Sequence, residues 1–342
     1  MVHIFQLEPF EEPMEGILNT SVKTPLKFQN KDHTHVQSIC IWQGYVVTLA
    51  KDIKLWNAKG EFIAHTNYQA GHISSSVAWD EYLIICEVSK VTYWTMNQKN
   101  NQVTIELVRE FVAHIDSDHV SAVVWKNALV TLGLQDEVKF WDKNGNMIHQ
   151  ATMQAYRLFV IQGYLWTYNH EYAIQKWEQI EEGLWQPCLT IVAHEEEDRV
   201  LSICGWGNTR IASSSHDGIV KVWTLDGQCL FTFPPTKDVD WSSVIEWLDG
   251  RLAVVTDLGI VAYNWDGSIC MTVSCKISMR DMLVHQDILW LADRDRTRMI
   301  WNPRMWKIER VLWIGFMKNN PSECLLASIP KEILKHIIEF LA

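Results

Sequence analysis

Tryptophan recurs along this chain at intervals that only a repeating architecture explains. One series stands at Trp56, Trp94, Trp141, Trp177, Trp223, Trp265 and Trp301, separated by 38, 47, 36, 46, 42 and 36 residues. A second series, Trp42, Trp79, Trp125, Trp206 and Trp247, ends another recurring apolar segment. A period of about 41 residues is the size of a supersecondary unit that cannot bury its apolar faces alone, so neighbouring units must cover one another.

Each period breaks into the same short pieces. A first segment reads VQSICIW (36–42), VSAVVW (120–125) or VLSICGW (200–206), and turn formers such as Gln43-Gly44, Lys126-Asn127 or Asp249-Gly250 follow it. A second reads YVVTLA (45–50), ALVTLGL (128–134), RIASSSH (210–216) or RLAVVTD (251–257), and a third carries the tryptophan: IKLWN (53–57), VKFWD (138–142), VKVWT. Asn144-Gly145, Asp226-Gly227 and Asp266-Gly267 then supply a hairpin turn into a fourth, such as CLFTF (229–233). The segments are short, β-branched and aromatic, with no helical period between them. Four antiparallel strands repeated seven times and packed radially make an all-β, seven-bladed β-propeller.

The stretch DGIVKVWTLDG (217–227) resembles the WD-repeat family, and the resemblance covers roughly residues 22–312. It implies a hydrogen-bonded brace in each blade: a His before the first strand, a Ser or Thr in the second, a turn Asp and the third-strand Trp. Two blades match nearly in full, one with His114, Thr131, Asp136 and Trp141, the other with His194, Ser213 or Ser215, Asp217 and Trp223. Elsewhere the pattern lapses: the second repeat has Ser89-Lys90 at the turn, the fourth has His170-Glu171, and in the sixth Tyr263 competes with Trp265 for the Trp place. The ring is expected to close through residues 22–29, because LKFQNKDHTHV (26–36) resembles EFVAHIDSDHV (110–120). WKIERVL (306–312) competes for the same slot.

Residues 1–21 form an N-terminal extension, 22–312 the propeller, and 313–342 a linker and helix. In that tail, Ser328 reads as an N-cap and Pro330 as first-turn proline. Ile333, Leu334, Ile337, Ile338 and Leu341 make one apolar stripe at helical spacing. The pattern resembles the opening helix of an F-box, which implies binding to a ubiquitin-ligase adaptor. The structural alternative is a lid packed under the propeller. Met299 to Arg304 resembles the W-D-x-R box of cullin-ligase substrate receptors, with Asn302 in place of the acid.

The loops that lead into first strands carry acids: Asp116, Asp118, Glu195, Glu196, Glu197, Asp198, Asp238 and Asp240. On a chain of net charge −11 they suit a basic peptide or segment of a partner, or serve simply as solvated loops. The same balance argues against a nucleic-acid partner or an anionic membrane surface. No apolar run is long enough to span a bilayer, and residues 1–12 do not read as a signal peptide. The eight cysteines lack a CxxC pair and read as reduced thiols of the cytoplasm, with the nucleus also open. His114, Asp116, Asp118 and His119 look superficially like metal ligands, but His114 is already used in a brace; no metal or cofactor is expected. No nucleophile elbow, phosphate loop or dinucleotide fingerprint occurs, and no catalytic residue can be named.

The expectation is therefore a non-enzymatic interaction scaffold, monomeric by itself, that binds other proteins on the propeller rim. The alternative is a ubiquitin-ligase substrate receptor whose tail holds the adaptor, and a propeller enzyme ranks third. All three rest on the fold more than on a site.

Overall fold

The computed structural model describes residues 27–29 and 36–301, apart from 59, 69–70, 101, 116, 118, 135, 170–171, 182–183, 196–197, 235–241, 248–249, 275–278, 287 and 294–296. These residues form an all-β propeller of four-stranded antiparallel blades and contain no α-helix. Six blades consist of consecutive strands, over residues 38–67, 73–112, 121–152, 157–192, 200–233 and 242–274, and are numbered 1 to 6 here. A seventh sheet is composite. Met279–His285, Ile288–Asp293 and Thr297–Trp301 give three strands, and Lys27–Gln29 pairs antiparallel with the last of them, Lys27 opposite Met299. Of the segment 22–29 expected to close the ring, Lys27–Gln29 makes that pairing and residues 22–26 lie outside the described residues. The competing segment 306–312, the extension 1–21 and the tail from 313 onward, with Pro330 to Leu341, lie outside the described residues, as does Asn302.

Local chemistry explains the strand order. In blades 1 and 3 the turns between first and second strands have two central residues with left-handed backbone, Gln43-Gly44 at φ 48° and 81° and Lys126-Asn127 at 46° and 60°. That geometry matches the right-handed twist of the flanking strands. The turns before the fourth strands are wider. In blade 3 Asp142 accepts from the backbone N–H of Asn144 and Asn146, Gly145 takes φ 75°, and the register shifts at Trp141.

Burial lies between blades. Trp42, Leu49 and Leu55 of blade 1 pack with Leu83, Trp94 and Ile105 of blade 2, and equivalent clusters join each later pair. The last, with Ile39, Val46 and Trp56 against Leu283 and Trp290, joins the composite sheet to blade 1. A sheet with two apolar faces is thereby covered on both, and the stability of each blade depends on its neighbours.

The two tryptophan series do different work. The third-strand indoles brace their own blade. Trp56 donates to Thr48 Oγ1 (2.9 Å), Trp141 to Thr131 Oγ1 (2.8 Å), Trp177 to Thr167 Oγ1 (2.8 Å) and Trp223 to Ser213 Oγ (3.0 Å). The first-strand indoles reach forward instead. Trp42 donates to the Glu81 carbonyl (3.1 Å) and Trp125 to that of Gly163 (2.8 Å), each in the first turn of the following blade. Trp206 does the same to Gly250.

Blade 6 corrects the first series. Tyr263, paired with Leu252 as Trp223 is with Ile211, takes the tryptophan place and stacks on Phe233. Trp265 sits beyond the strand, 41 % exposed, edge-on to Trp206 and under the Arg210 guanidinium (3.7 Å).

Candidate functional site at the entry face

Each first strand begins on one face of the ring, called the entry face here. The loops into the first strands and the turns between second and third strands share that face, because the strands alternate in direction. The two braces found in the sequence hold these loops down.

In blade 3, Thr131 Oγ1 accepts from the Trp141 indole and lies 2.9 Å from His114 Nε2; His114 Nδ1 lies 3.2 Å from Glu137 Oε2. A hydroxyl that accepts from the indole has its own proton for Nε2, which puts the imidazole proton on Nδ1, facing the carboxylate. The acid of this brace is therefore Glu137, not Asp136. Asp136 has left-handed backbone (φ 58°) and turns its carboxylate to the backbone N–H of Ala155. Burial resists ionisation of Glu137, but Lys139 at 2.9 Å and then His114 hold its carboxyl below the ordinary value. Gly133 makes room: a Cβ there would stand 2.7 Å from His114 Nδ1.

In blade 5, Ser213 rather than Ser215 joins the indole to the imidazole, with its Oγ 2.9 Å from His194 Nε2. Asp217 does not reach the histidine. It accepts from the Ser215 hydroxyl and the Ile219 N–H, and His194 Nδ1 has no hydrogen-bond partner among the described residues. Burial lowers the His194 pKa to about 4. Blade 2 replaces the brace altogether, with Glu87 accepting from the Tyr68 hydroxyl and the Gly71 N–H beside Lys90.

Directly after each brace histidine comes a rim residue. His114 is 2 % exposed and Ile115 is 77 % exposed. Leu134, 47 % exposed, sits close by, its N–H bonded to Ser117 Oγ of the same loop. After His194 comes Glu195, whose carbonyl accepts from the Asp198 N–H. Burial and then the neighbouring Asp217 carboxylate raise the Asp198 pKa, and Glu195 adds to the effect. Asp116, Asp118, Glu196, Glu197, Asp238 and Asp240 lie outside the described residues. Of the superficial metal cluster, His114 belongs to the brace, and His119 lines the ring interior stacked on Tyr156.

Sequence reasoning missed the centre of this face. Residues in and just before the first strands of blades 1 to 4, with Asp281 of the composite sheet, line a cavity of about 780 Å³ whose lining includes Ser38, Ser74, Ser121, Arg157, Phe159 and Asp281. The signal was available four residues before the end of each first strand. There stand Ser38, Ser75, Ser121, Ser202 and Ser243, but Arg157 in blade 4 and Asp281 in the composite sheet.

No protein-family model matches this chain, and no curated protein matches it significantly.

Proposed function

We propose that the protein is a non-enzymatic interaction scaffold of WD-repeat type that binds a partner protein across the entry-face rim. One observation carries this reading: a brace buries His114 while presenting Ile115, the very next residue, to solvent. A large apolar side chain on a loop fixed from beneath is a preorganised anchor, since little conformational freedom remains to be lost on binding. Glu195, Asp198 and Asp217 on the same rim favour a partner segment with basic residues beside its apolar anchor. Propellers as a class commonly serve such roles, which adds analogy and not a site.

The test is recovery of partners by the full chain and its I115S and E195K variants, with Q186A on an outer strand as control. Loss of the same partners from both rim variants, and retention by the control, supports the reading. Equal recovery by all four proteins ends it.

A second reading, a ubiquitin-ligase substrate receptor, is favoured by one sequence observation, the Ile333, Leu334, Ile337, Ile338, Leu341 stripe after Pro330. Substituting Ile337 and Leu341 by Asp in the full chain would release adaptor and cullin subunits under this reading and leave rim partners bound. If no such subunits accompany the unaltered chain, the reading fails.

A further inference from the structure

Five of the seven first strands carry serine at one ring position, and those serines stitch blades together. Ser38 Oγ lies 2.9 Å from Ser76 Oγ, and Ser75 donates to the Val120 carbonyl (2.9 Å). Ser121 accepts from the Leu158 N–H (3.0 Å), and Ser243 bonds to Ser202 (2.9 Å). Asp281 does the same work at the joint between the composite sheet and blade 1. Its carboxylate accepts from the Ser38 hydroxyl and the Ile39 N–H, 3.0 Å each, and from its neighbour Met282 at 2.9 Å.

Arg157 stands apart. Near Arg157 the joint between blades 4 and 5 carries the Tyr168 hydroxyl, which bonds the Leu201 carbonyl at 3.2 Å. The Arg157 guanidinium lies beside that hydroxyl and over the Phe159 ring, 5.6 Å from the ring centre. A guanidinium has five N–H donors, and the neighbours named here use few of them. Blade 4 therefore carries a cation where the repeat asks only for a small hydroxyl. The wall around it is mixed: Phe159, Val123 and Val77 are apolar, and the Ser74 hydroxyl, at a strand bulge, is buried without a hydrogen-bond partner among the described residues. His119 in the same wall is held neutral at pH 7, its pKa lowered to about 4 by burial, then by Arg157 and His72.

We propose that the ring mouth binds a small organic anion, a carboxylate or phosphate on an apolar body, with Arg157 meeting the anionic group. The cavity volume falls within the range of small-molecule sites, and a few convergent polar groups on an apolar wall are their usual form. Arg157 suits planar or tetrahedral oxyanions because its fork can donate two parallel bonds. Asp281 accepts from three donors at the ring joint, and its carboxylate also feels the Arg157 charge, which opposes the effect of burial. This inference is independent of the rim reading, since a rim partner can bind whether or not the mouth is filled.

Calorimetric titration of the full chain with phenyl phosphate, inorganic phosphate and benzylamine tests it. Saturable binding of phenyl phosphate is expected, at least about tenfold tighter than inorganic phosphate, with none of benzylamine. R157Q should weaken phenyl phosphate at least about tenfold, and K99Q, at the exposed end of the third strand of blade 2, should not. A variant-independent readout is magnetisation transfer from the phenyl ring to Phe159 and Val123 in the unaltered chain. Binding of benzylamine in preference to phenyl phosphate, no binding of either, undiminished binding by a folded R157Q, or transfer to residues outside the mouth would each overturn the proposal.

Discussion

The indole N–H of Trp125 donates across a blade boundary to the carbonyl oxygen of Gly163, 2.8 Å away in the first turn of blade 4. The ring of the same residue packs edge-on to Trp185 at the outer edge of blade 4, and the Lys126 ammonium lies over it. One side chain thus holds the following blade at its inner turn and its outer strand. Trp125→Phe retains most of the apolar contact and deletes the hydrogen bond, at a cost of about 0.5–1.5 kcal/mol. Hydrogen exchange should locate the loss: the amides around Gly163 speed up more than those of blade 6. Uniform acceleration across the ring would contradict this assignment.

Thr131 serves two partners, the Trp141 indole and the His114 imidazole, and Thr48 serves the Trp56 indole. Replacing either by valine keeps shape and removes the hydroxyl, leaving buried polar groups unsatisfied. Each orphaned group costs about 1–3 kcal/mol. Urea denaturation should therefore find Thr131→Val less stable than Thr48→Val. The reverse order would mean that the His114 link contributes nothing.

Gly133 faces His114 Nδ1 too closely for any side chain. Gly133→Ala displaces the imidazole from Glu137 and costs about 1–3 kcal/mol. Because Ile115 follows His114, the rim loop loosens as well. Limited proteolysis within residues 115–119 should accelerate in the alanine variant, and an unchanged cleavage pattern would show that the brace does not hold the loop.

His194 is buried and neutral, with its pKa lowered to about 4 in the folded chain against an ordinary 6.5. The unfolded chain therefore binds the proton first as pH falls. The folded state keeps its full advantage above pH 6.5, loses it progressively between 6.5 and 4, and loses no more from this group below 4. The size of the effect is about 3 kcal/mol. His194→Gln removes that contribution, so the stability difference between the two proteins should shift in favour of the variant across this window. A difference independent of pH would place the titration elsewhere.

How much of this was legible in the sequence varies by feature. The tryptophan period and the strand–turn pattern were enough for the propeller, because side-chain parity and turn chemistry are local properties. The blade 3 acid was misread by one residue. Asp136 and Glu137 are adjacent, but Asp136 has left-handed backbone at the turn, and only the first strand residue, Glu137, points back at His114. Trp265 misled for a related reason: it is two residues past Tyr263 and keeps the same parity, so only the register with Leu252 distinguishes them. The mouth was hidden differently. Arg157 and Asp281 stand far apart in sequence with no motif between them, and they become conspicuous only when the first strands are superimposed and serine is seen to be the rule.

The composite sheet also imposes an order on synthesis. Lys27–Gln29 leaves the ribosome first, and its partner Thr297–Trp301 follows roughly 270 residues later. At about 5–20 residues per second the first segment waits on the order of ten seconds to a minute for its partner. During that interval the open ring also leaves one face of blade 1, with Val46 and Trp56, without the Leu283 and Trp290 that finally cover it. The newborn chain must therefore carry an uncovered apolar face until nearly all of the propeller has been made, and that is the interval in which a chaperone or a neighbouring nascent chain would find it.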